Sequence, residues 1–360
     1  MALTQLEQDQ EKIIYSNFID SLRSGKTKDV YDKALKLFMK FHNIENYYQL
    51  LLLAKEGIEE KIKQYIMNIR TRELSSSFMN VFLSSIKAFY EMNDIENIRW
   101  HKLKRFMGEQ TPKHEDRCYN HSEILTLLNA SDLKQKVIIL LMCSGLRVGA
   151  LPTILVKHLK KMNDVYKIDV YKGLKGKGHY YTFCSPECVT AIDSYLDFRR
   201  RCGEVVTGDS LLLRKDFDSL FHESARNKVY PVTQHSIGMS IYNLLVKTGL
   251  RTVDHINSRN RKDVKMTHGF RKFFETQLVN ANLHETIIRK LTGHSDSSNL
   301  TQLYSKQTVE ENLEFYMNAV DNLTIDPANR LRKKVEKLEV EKTQFDRLAA
   351  QIKALEAKIK

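Results

Sequence analysis

The sequence of 360 residues lacks long apolar runs, and it contains only five prolines and one tryptophan. The longest apolar stretch, residues 137–142, is far shorter than the roughly 18 residues that a membrane-spanning helix requires. The first ten residues lack the basic and apolar regions of a secretory signal. We therefore expect a cytoplasmic protein that has no membrane partner.

Cysteine is also scarce and unevenly distributed. Five cysteines, an odd number, do not fit a framework of paired disulfides. Cys184 and Cys188 could form half of a zinc site, but no second pair of ligands accompanies them, and no glycine-rich phosphate loop occurs. We therefore expect no metal and no cofactor, and reduced, mostly buried thiols at Cys118, Cys143, Cys184, Cys188 and Cys202.

Acidic residues are too few to balance the basic ones. Lysine and arginine total 57 against 44 aspartates and glutamates, which gives a net charge of +13 and a pI near 9.3. Such an excess suits a polyanionic partner, and phosphate contacts would make binding strongly dependent on salt. A generic basic surface has the same composition, so charge alone does not decide the function.

The first hundred residues lack proline and have a helical pattern. Residues 12–107 contain two glycines, Gly25 and Gly57, each near an expected helix boundary. Apolar side chains recur every three or four positions along this segment. The pattern predicts an all-helical domain of four or five helices over residues 1–107.

A polar segment separates this domain from the rest of the chain. Residues 108–119 contain Pro112 and show no periodicity, so we interpret them as a linker. Asn120 and Glu123 then have the spacing of a capping box, which predicts the start of a helix. We expect the second domain to extend over residues 120–323.

The periodicity of the second domain changes near residue 166. Residues 166–171 and 180–184 alternate in polarity and are separated by a turn rich in glycine and lysine, which predicts a β-hairpin. Helical patterns resume near Glu187 and continue, with loops, to about residue 321. The expected fold class is therefore mainly α with a small β-hairpin or sheet.

Residues 324–360 have a third pattern. Apolar residues recur every seven positions, whereas Lys334 and Glu341 interrupt the second seam. Ten basic and five acidic residues within 327–360 make the segment basic. It could be an amphipathic helix that packs on its own domain, or a coiled-coil-like helix that associates with another subunit. The seven-residue series is Leu331, Leu338, Phe345, Ile352 and Ile359, with Leu348 and Leu355 at the second seam position.

Four short strings and a tyrosine follow one another between residues 143 and 304. Each string is degenerate by itself, but the whole series in this order is hard to obtain by chance. It resembles that of the tyrosine recombinases, or phage-type integrases, and the resemblance extends over about residues 15–320. It is closer to archaeal and viral integrases than to the related Xer enzymes. The strings are Cys-Ser-Gly-Leu-Arg ending at Arg147, Lys-Gly-Lys-Gly-His starting at Lys175, Thr-His-Gly-Phe-Arg with His268 and Arg271, and Leu-Thr-Gly-His ending at His294, followed by Tyr304.

The resemblance implies that a tyrosine attacks a DNA phosphodiester without a metal. Arg147 and Arg271 are expected to bind the phosphate, because a guanidinium is a planar and permanently charged fork. Tyr304 is the expected nucleophile. Either His268 or His294 could accept its proton, and the sequence does not distinguish them.

The leaving 5′ oxygen needs a proton, which a lysine at the hairpin tip could supply as general acid. Lys175 best matches the family position, and Lys172 and Lys177 compete with it. Tyr316 is the nearest rival of Tyr304 as nucleophile, but its apolar neighbours favour a core role.

One position departs from the family pattern. Many members carry an acidic residue three positions after the first arginine, where this chain has Ala150. Another group must therefore hold Arg147, and the sequence does not identify it.

The resemblance as a whole implies a site-specific DNA recombinase that integrates or excises a mobile element, such as a viral genome, through a 3′-phosphotyrosine intermediate. It implies a helical core-binding domain over residues 1–107 and a catalytic domain over residues 120–323. The implied partner is double-stranded DNA with specific attachment sites, bound by a homotetramer. Two alternatives are a DNA-relaxing enzyme like the type IB topoisomerases and a non-catalytic DNA-binding protein on the same fold.

Overall fold

The computed structural model describes residues 5–55, 57–72, 74–108, 116–217, 229–252, 263–294 and 307–359. The chain divides into two compact units, Met1–Lys113 and His114–Lys360. The division lies within residues 108–119, the segment that we interpret as a linker.

The first unit is helical throughout its described part, where the structure has six helices rather than the expected four or five. The two shortest have six residues each, too few to give a recognisable period in the sequence. The helices are α1 (Gln5–Asp20), α2 (Gly25–Phe41), α3 (Tyr47–Leu52), α4 (Ile58–Thr71), α5 (Ser76–Glu91) and α6 (Trp100–Arg105).

Aromatic side chains form the centre of the core of this unit. The ring of Phe82 on α5 lies 5.4 Å from that of Phe38 on α2 and 4.7 Å from that of Tyr65 on α4, measured between centroids. Tyr90 is fully buried, and its hydroxyl donates a 2.6 Å hydrogen bond to the carbonyl of Leu50 on α3. Apolar burial and one buried hydrogen bond therefore join four of the helices.

The second unit is mainly α with one small sheet, as the sequence predicts. The predicted capping box is present at its first helix: Asn120 Oδ1 accepts from the Glu123 N–H at 2.8 Å, and the Glu123 carboxylate accepts from the Asn120 N–H at 2.9 Å. The helices are α7 (His121–Ala130), α8 (Leu133–Met142), α9 (Pro186–Arg201), α10 (Gln234–Lys247), α11 (His268–Asn280), α12 (Glu285–Thr292), α13 (Val309–Leu323) and α14 (Pro327–Ile359).

Helix α8 is the centre of the core of the second unit. All its residues from 137 to 142 are buried, and it packs against α7, α9, α10 and α11. The five cysteines are free, and all except Cys118 are buried, which confirms the expected thiols. Because α8 is fixed on several sides, the chain that leaves its C-terminal end is fixed as well.

The sheet has three antiparallel strands in the order β1 (Leu159–Met162), β2 (Val165–Val170) and β3 (Tyr180–Cys184). Strands β2 and β3 are the predicted hairpin, paired from Tyr166 with Cys184 to Val170 with Tyr180. Strand β1 was not predicted. Asn163, at φ 52°, begins the two-residue turn between β1 and β2, and asparagine is one of the residues that tolerate this left-handed backbone.

Helix α14 is attached to the rest of the second unit by its first turn and by the two residues that precede it. The Glu187 carboxylate accepts hydrogen bonds from the N–H groups of Ile325 and Asp326, at 2.8 and 3.0 Å, and from the Asn329 amide at 3.1 Å. Four seam side chains beyond this turn are exposed: Leu331, Leu338, Phe345 and Leu348 have exposed fractions of 54 to 73%. These four side chains therefore do not pack on the second unit. In the ranges described above, no helix is long and apolar enough to span a membrane.

Candidate active site

Two motif glycines lie where a side chain would not fit. Gly145 follows α8 at φ +84°, and a Cβ on it would lie 2.6 Å from the Phe274 ring. Gly293 follows α12 at φ +61°, and a Cβ on it would overlap the Tyr180 ring. Both glycines are required because they combine a left-handed backbone with close packing. They bring the ends of α8 and α12 against α11 and β3.

A third motif glycine, Gly269, lies in the first turn of α11. A Cβ on it would lie 2.6 Å from Val264 Cγ1 and 2.9 Å from the Tyr119 ring. The same Tyr119 ring stacks on Phe270, with centroids 4.3 Å apart. This packing fixes the first turn of α11, which carries both His268 and Arg271.

The guanidinium of Arg271 is buried, with 2% of the residue exposed. Its Nη1 donates to the carbonyl of Gly145, and its Nη2 donates to the carbonyl of Thr292 at 2.6 Å. Its Nε lies 3.2 Å from Oε1 of Glu275, one turn later on α11. Burial and the neighbouring charge of Arg147 lower the pKa of Arg271, although an arginine remains protonated in proteins.

Arg147 meets Arg271 at the end of α12. Its Nη1 donates to the carbonyls of Thr292 and Gly293, at 3.2 Å each. Its Nε and Nη2 have no acceptor among the described residues. The side edge of the Arg147 guanidinium is therefore available to two oxygens of a ligand.

The group that holds Arg147 is thus the backbone. Ala150, at the position where an acidic residue is expected from the family, is fully buried, and the carbonyls of Thr292 and Gly293 supply the acceptors instead. The carboxylate near the site is Glu275, which we did not predict. Its sequence signal is an arginine and a glutamate four positions apart on one helix face.

The two candidate histidines lie beside Arg271. His268 is one turn before it on α11, and burial lowers the pKa of His268, with an opposing effect of Glu275 and a further lowering by Arg271. His294 Nε2 lies 3.4 Å from Arg271 Nη2, and His294 Nδ1 lies 2.7 Å from the hydroxyl of Thr292. Burial, followed by the charge of Arg271, lowers the pKa of His294. The direction of both shifts favours the neutral form of each imidazole.

The three lysines of the β2–β3 turn differ in their contacts. Lys172 Nζ lies 3.1 Å from the Asp169 carboxylate, and Lys177 Nζ lies over the Tyr171 ring, 4.7 Å from its centroid. Lys175 is exposed, and its amine contacts no partner within the described ranges. Among the described residues, Lys175 is therefore the one of the three lysines whose amine is not held by another side chain.

The predicted nucleophile, Tyr304, lies outside the described residues. Its rival Tyr316 is fully buried on α13, with ring centroids 5.3 Å from Phe183 and 6.5 Å from Phe274. Burial raises the pKa of Tyr316 well above its usual value. This environment opposes ionisation of the phenol, and Tyr316 is a core residue.

The structure thus brings together four of the six predicted site residues, Arg147, His268, Arg271 and His294, where the first turn of α11 meets the C-terminal ends of α8 and α12. It adds Glu275 and Thr292 to them. No three His, Cys, Asp or Glu side chains lie close enough to hold a metal ion in the part of the chain that the structure describes.

The sequence model of the phage integrase family matches residues 117–311. Tyrosine recombinase XerC of Leptospira interrogans is 23% identical over 329 residues, which cover 87% of this chain and 93% of the relative.

Two solved structures have the same fold. The Tn1549 transposon integrase in complex with circular intermediate DNA has a TM-score of 0.56 and 16% identity, over 85% of this chain and 98% of that one. A lambda integrase dimer bound to a core site has a TM-score of 0.53 and 14% identity, over 86% of this chain and 98% of that one.

The packing of Gly293 leads to a stability prediction. Gly293→Ala should lose about 1–2 kcal/mol from its left-handed backbone and about 1–3 kcal/mol more from overlap with Tyr180. Gly173→Ala is the control, because Gly173 is also left-handed, at φ +78°, but has open space around its Cα. Free energies of unfolding from urea titration should show the larger loss for Gly293→Ala. Equal losses would contradict the packing argument.

Proposed function

The chain belongs to the phage integrase family, and with it to the site-specific tyrosine recombinases; we propose that Arg147 and Arg271 bind the DNA phosphate that it cleaves. The observation that carries this proposal is the meeting of two guanidiniums at the carbonyl of Thr292, with no acceptor for the side edge of Arg147 among the described residues. In the transition state of phosphodiester cleavage, the phosphorus is pentavalent and its oxygens accumulate negative charge. Hydrogen-bond donors that are already in place before the reaction stabilise that charge best.

The nucleophile in this proposal is Tyr304. Its hydroxyl attacks phosphorus, the bond to the 5′ oxygen breaks, and the enzyme is left joined to the DNA by a 3′-phosphotyrosine. A 5′-hydroxyl of another strand then attacks this linkage and releases the tyrosine. Because the phosphodiester energy is kept in the covalent intermediate, the cycle consumes no nucleotide.

Lys175 is the proposed general acid for the leaving 5′ oxygen. Its amine is exposed and free of partners among the described residues, whereas Asp169 holds Lys172 and the Tyr171 ring holds Lys177. An amine that is not already paired can turn towards a bound DNA strand at little cost. His268 and His294 are the proposed proton acceptors or hydrogen-bonding groups at the phosphate.

Double-stranded DNA with specific attachment sites is the proposed partner, and the reaction suggests the stoichiometry. Recombination of two duplex sites cuts four strands, so four copies of a chain with one nucleophile suffice. We propose a homotetramer on DNA inside the cell. The first unit would serve as the core-binding domain, with Lys102 and Lys104 exposed on α6 as phosphate contacts.

Integration or excision of a mobile element is the role that we favour over DNA relaxation. The Tn1549 integrase, a transposon protein, has the same fold, and the match to XerC covers most of both chains. A non-catalytic binding protein would not need two arginines and two neutral histidines gathered at one place.

Helix α14 is proposed to associate with α14 of another subunit. It is 33 residues long, and four of its seam side chains are exposed in the single chain. An amphipathic helix of this kind is stabilised by burying its apolar stripe. A seven-residue repeat is the spacing that lets two helices do so together.

Tyr304→Phe should bind DNA but form no covalent adduct, because it lacks only the phenolic oxygen. The test uses DNA selected by binding from a random pool, nicked near the cleavage position, with adducts resolved on a denaturing gel. Tyr316→Phe is the control, since its hydroxyl is buried and has no hydrogen-bond partner in the described structure. The proposed function would be refuted if Tyr304→Phe formed a covalent adduct with DNA. It would also be refuted if the unmodified protein formed no adduct.

Lys175→Ala should slow cleavage of ordinary DNA by about 10²-fold or more, and a 5′-bridging phosphorothiolate should restore the rate because sulfur leaves without a proton. Lys172→Ala and Lys177→Ala are matched variants in the same turn and should show no such selective rescue. Single-turnover rates on both substrates provide the measurement. Equal defects of Lys175→Ala on the two substrates would exclude it as the acid.

Phe345→Asp should weaken self-association, because it places a charge in the seam of α14. Thr343→Asp is the matched control: it adds the same charge to an exposed position outside the seam of the same helix. Analytical ultracentrifugation with and without DNA, at low and high salt, compares the assemblies. If the added negative charge alone weakens self-association, both variants should assemble less well, and the difference from the parent should shrink at high salt. If the apolar seam is what holds the helices together, only Phe345→Asp should assemble less well. Identical assembly of both variants and the parent would show that α14 does not join subunits.

A further inference from the structure

The hydroxyl of Thr292 makes two short contacts at the end of α12. Its Oγ1 lies 2.7 Å from the carbonyl oxygen of Ile288, one turn earlier, and 2.7 Å from Nδ1 of His294. A longer contact of 3.2 Å reaches the carbonyl of Arg289. Thr292 is fully buried, so water does not compete for these contacts.

These two contacts can be satisfied in only one way. A threonine hydroxyl has a single hydrogen, and a carbonyl oxygen cannot donate. The hydrogen must therefore lie between Oγ1 and the Ile288 oxygen, since two oxygens 2.7 Å apart repel each other without one. The contact with His294 then needs a hydrogen from the imidazole, so Nδ1 carries it and the Thr292 oxygen accepts it.

The contact made by the other ring nitrogen of His294, Nε2, leads independently to the same tautomer. His294 Nε2 lies 3.4 Å from Nη2 of Arg271, and a guanidinium can only donate. A hydrogen on Nε2 would point at another N–H group, whereas a lone pair faces it favourably. Nε2 therefore carries the lone pair in the neutral ring.

We propose that Thr292 is a positioning residue that holds His294 as the Nδ1-protonated tautomer, so that Nε2 is the proton acceptor of the active site. The inference rests on the proposed function. As the phenolic oxygen of the nucleophile bonds to phosphorus, its proton moves to Nε2 and the bond from phosphorus to the 5′ oxygen breaks. The general acid protonates the leaving oxygen. His294 becomes an imidazolium whose Nδ1–H remains bonded to Thr292.

The charges around His294 favour a neutral ring before the reaction. Burial and the cations Arg271, Arg147 and Arg289 lower the pKa of His294, and Glu275 opposes them. A neutral imidazole beside bound phosphate can take up a proton, and the phosphate charge then stabilises the imidazolium. The ring of His268 has no hydrogen-bond partner within the described ranges, so no comparable contact selects its tautomer.

The tautomer can be measured directly on the full chain. Long-range proton–nitrogen NMR spectra of protein labelled with ¹⁵N-histidine distinguish a protonated ring nitrogen from one with a lone pair, and His294→Gln identifies the signals of His294. We expect a protonated Nδ1 and an unprotonated Nε2 at neutral pH. Thr292→Val should lose this preference, whereas Thr292→Ser, which keeps the hydroxyl, should retain it.

Thr324→Val is the matched control outside the site. Thr324 is also buried, and its hydroxyl donates to the carbonyl four residues earlier at 2.7 Å. Thr292→Val should slow single-turnover cleavage by about tenfold or more, as part of a general-base contribution of about 10²–10⁴. DNA affinity should stay unchanged, because the Thr292 carbonyl that holds both arginines is retained. Thr324→Val should keep the parent tautomer and rate.

A protonated Nε2 in the parent protein, or the same tautomer in Thr292→Val, would overturn the proposal. Cleavage by Thr292→Val at the parent rate would overturn the role of Nε2 as proton acceptor. The NMR result does not depend on catalysis. If the parent forms no covalent adduct, the proposed function fails, while the spectra still decide the tautomer.

Discussion

A guanidinium buried away from water needs an acceptor for each of its donors, and this requirement determines the arrangement around Arg271. The acceptors come mainly from two helix ends, the carbonyl of Gly145 after α8 and that of Thr292 in the last turn of α12. Thr292 is the last residue of α12, and the last carbonyls of a helix have no partner within the helix, so Arg271 supplies the donor that the Thr292 carbonyl lacks. Both ends must approach α11 closely for this, which explains why glycine follows each helix.

The same features explain why part of the site was predictable and part was not. The side chains of Arg147, Arg271 and His294 stand in recognisable strings, and the alternating residues of β2 and β3 predicted the hairpin. The acceptor for both arginines is a main-chain carbonyl, and every residue has one. No sequence signal could therefore identify Thr292 as the holder of Arg147, or replace the missing acid at Ala150.

The shortest elements and the packing of α14 were also not predictable from the sequence. Strand β1 has four residues and helices α3 and α6 have six, so each is too short to repeat its period often enough to be recognised in the sequence. The seven-residue repeat of α14 predicted a helix, but an apolar stripe does not reveal what covers it. The exposed seam side chains decide against packing on the second unit, because a residue such as Phe345 would otherwise be buried.

Positive charge and burial act together on the histidines. The arginines that would bind phosphate also lower the pKa of His294, and burial does the same for both imidazoles. The same gathering of cations therefore favours the unprotonated form of both histidines. Phosphate binding and readiness to accept a proton follow from one arrangement of charge.

The backbone anchoring of Arg147 has a consequence for the electrostatics of the site. A carboxylate that holds an arginine cancels its charge, so that a ligand meets a neutral pair. Carbonyl dipoles at a helix end stabilise a cation but carry no net charge. Arg147 therefore presents its whole positive charge to an approaching anion, and the field of the site reaches further into the solvent than that of a neutralised pair.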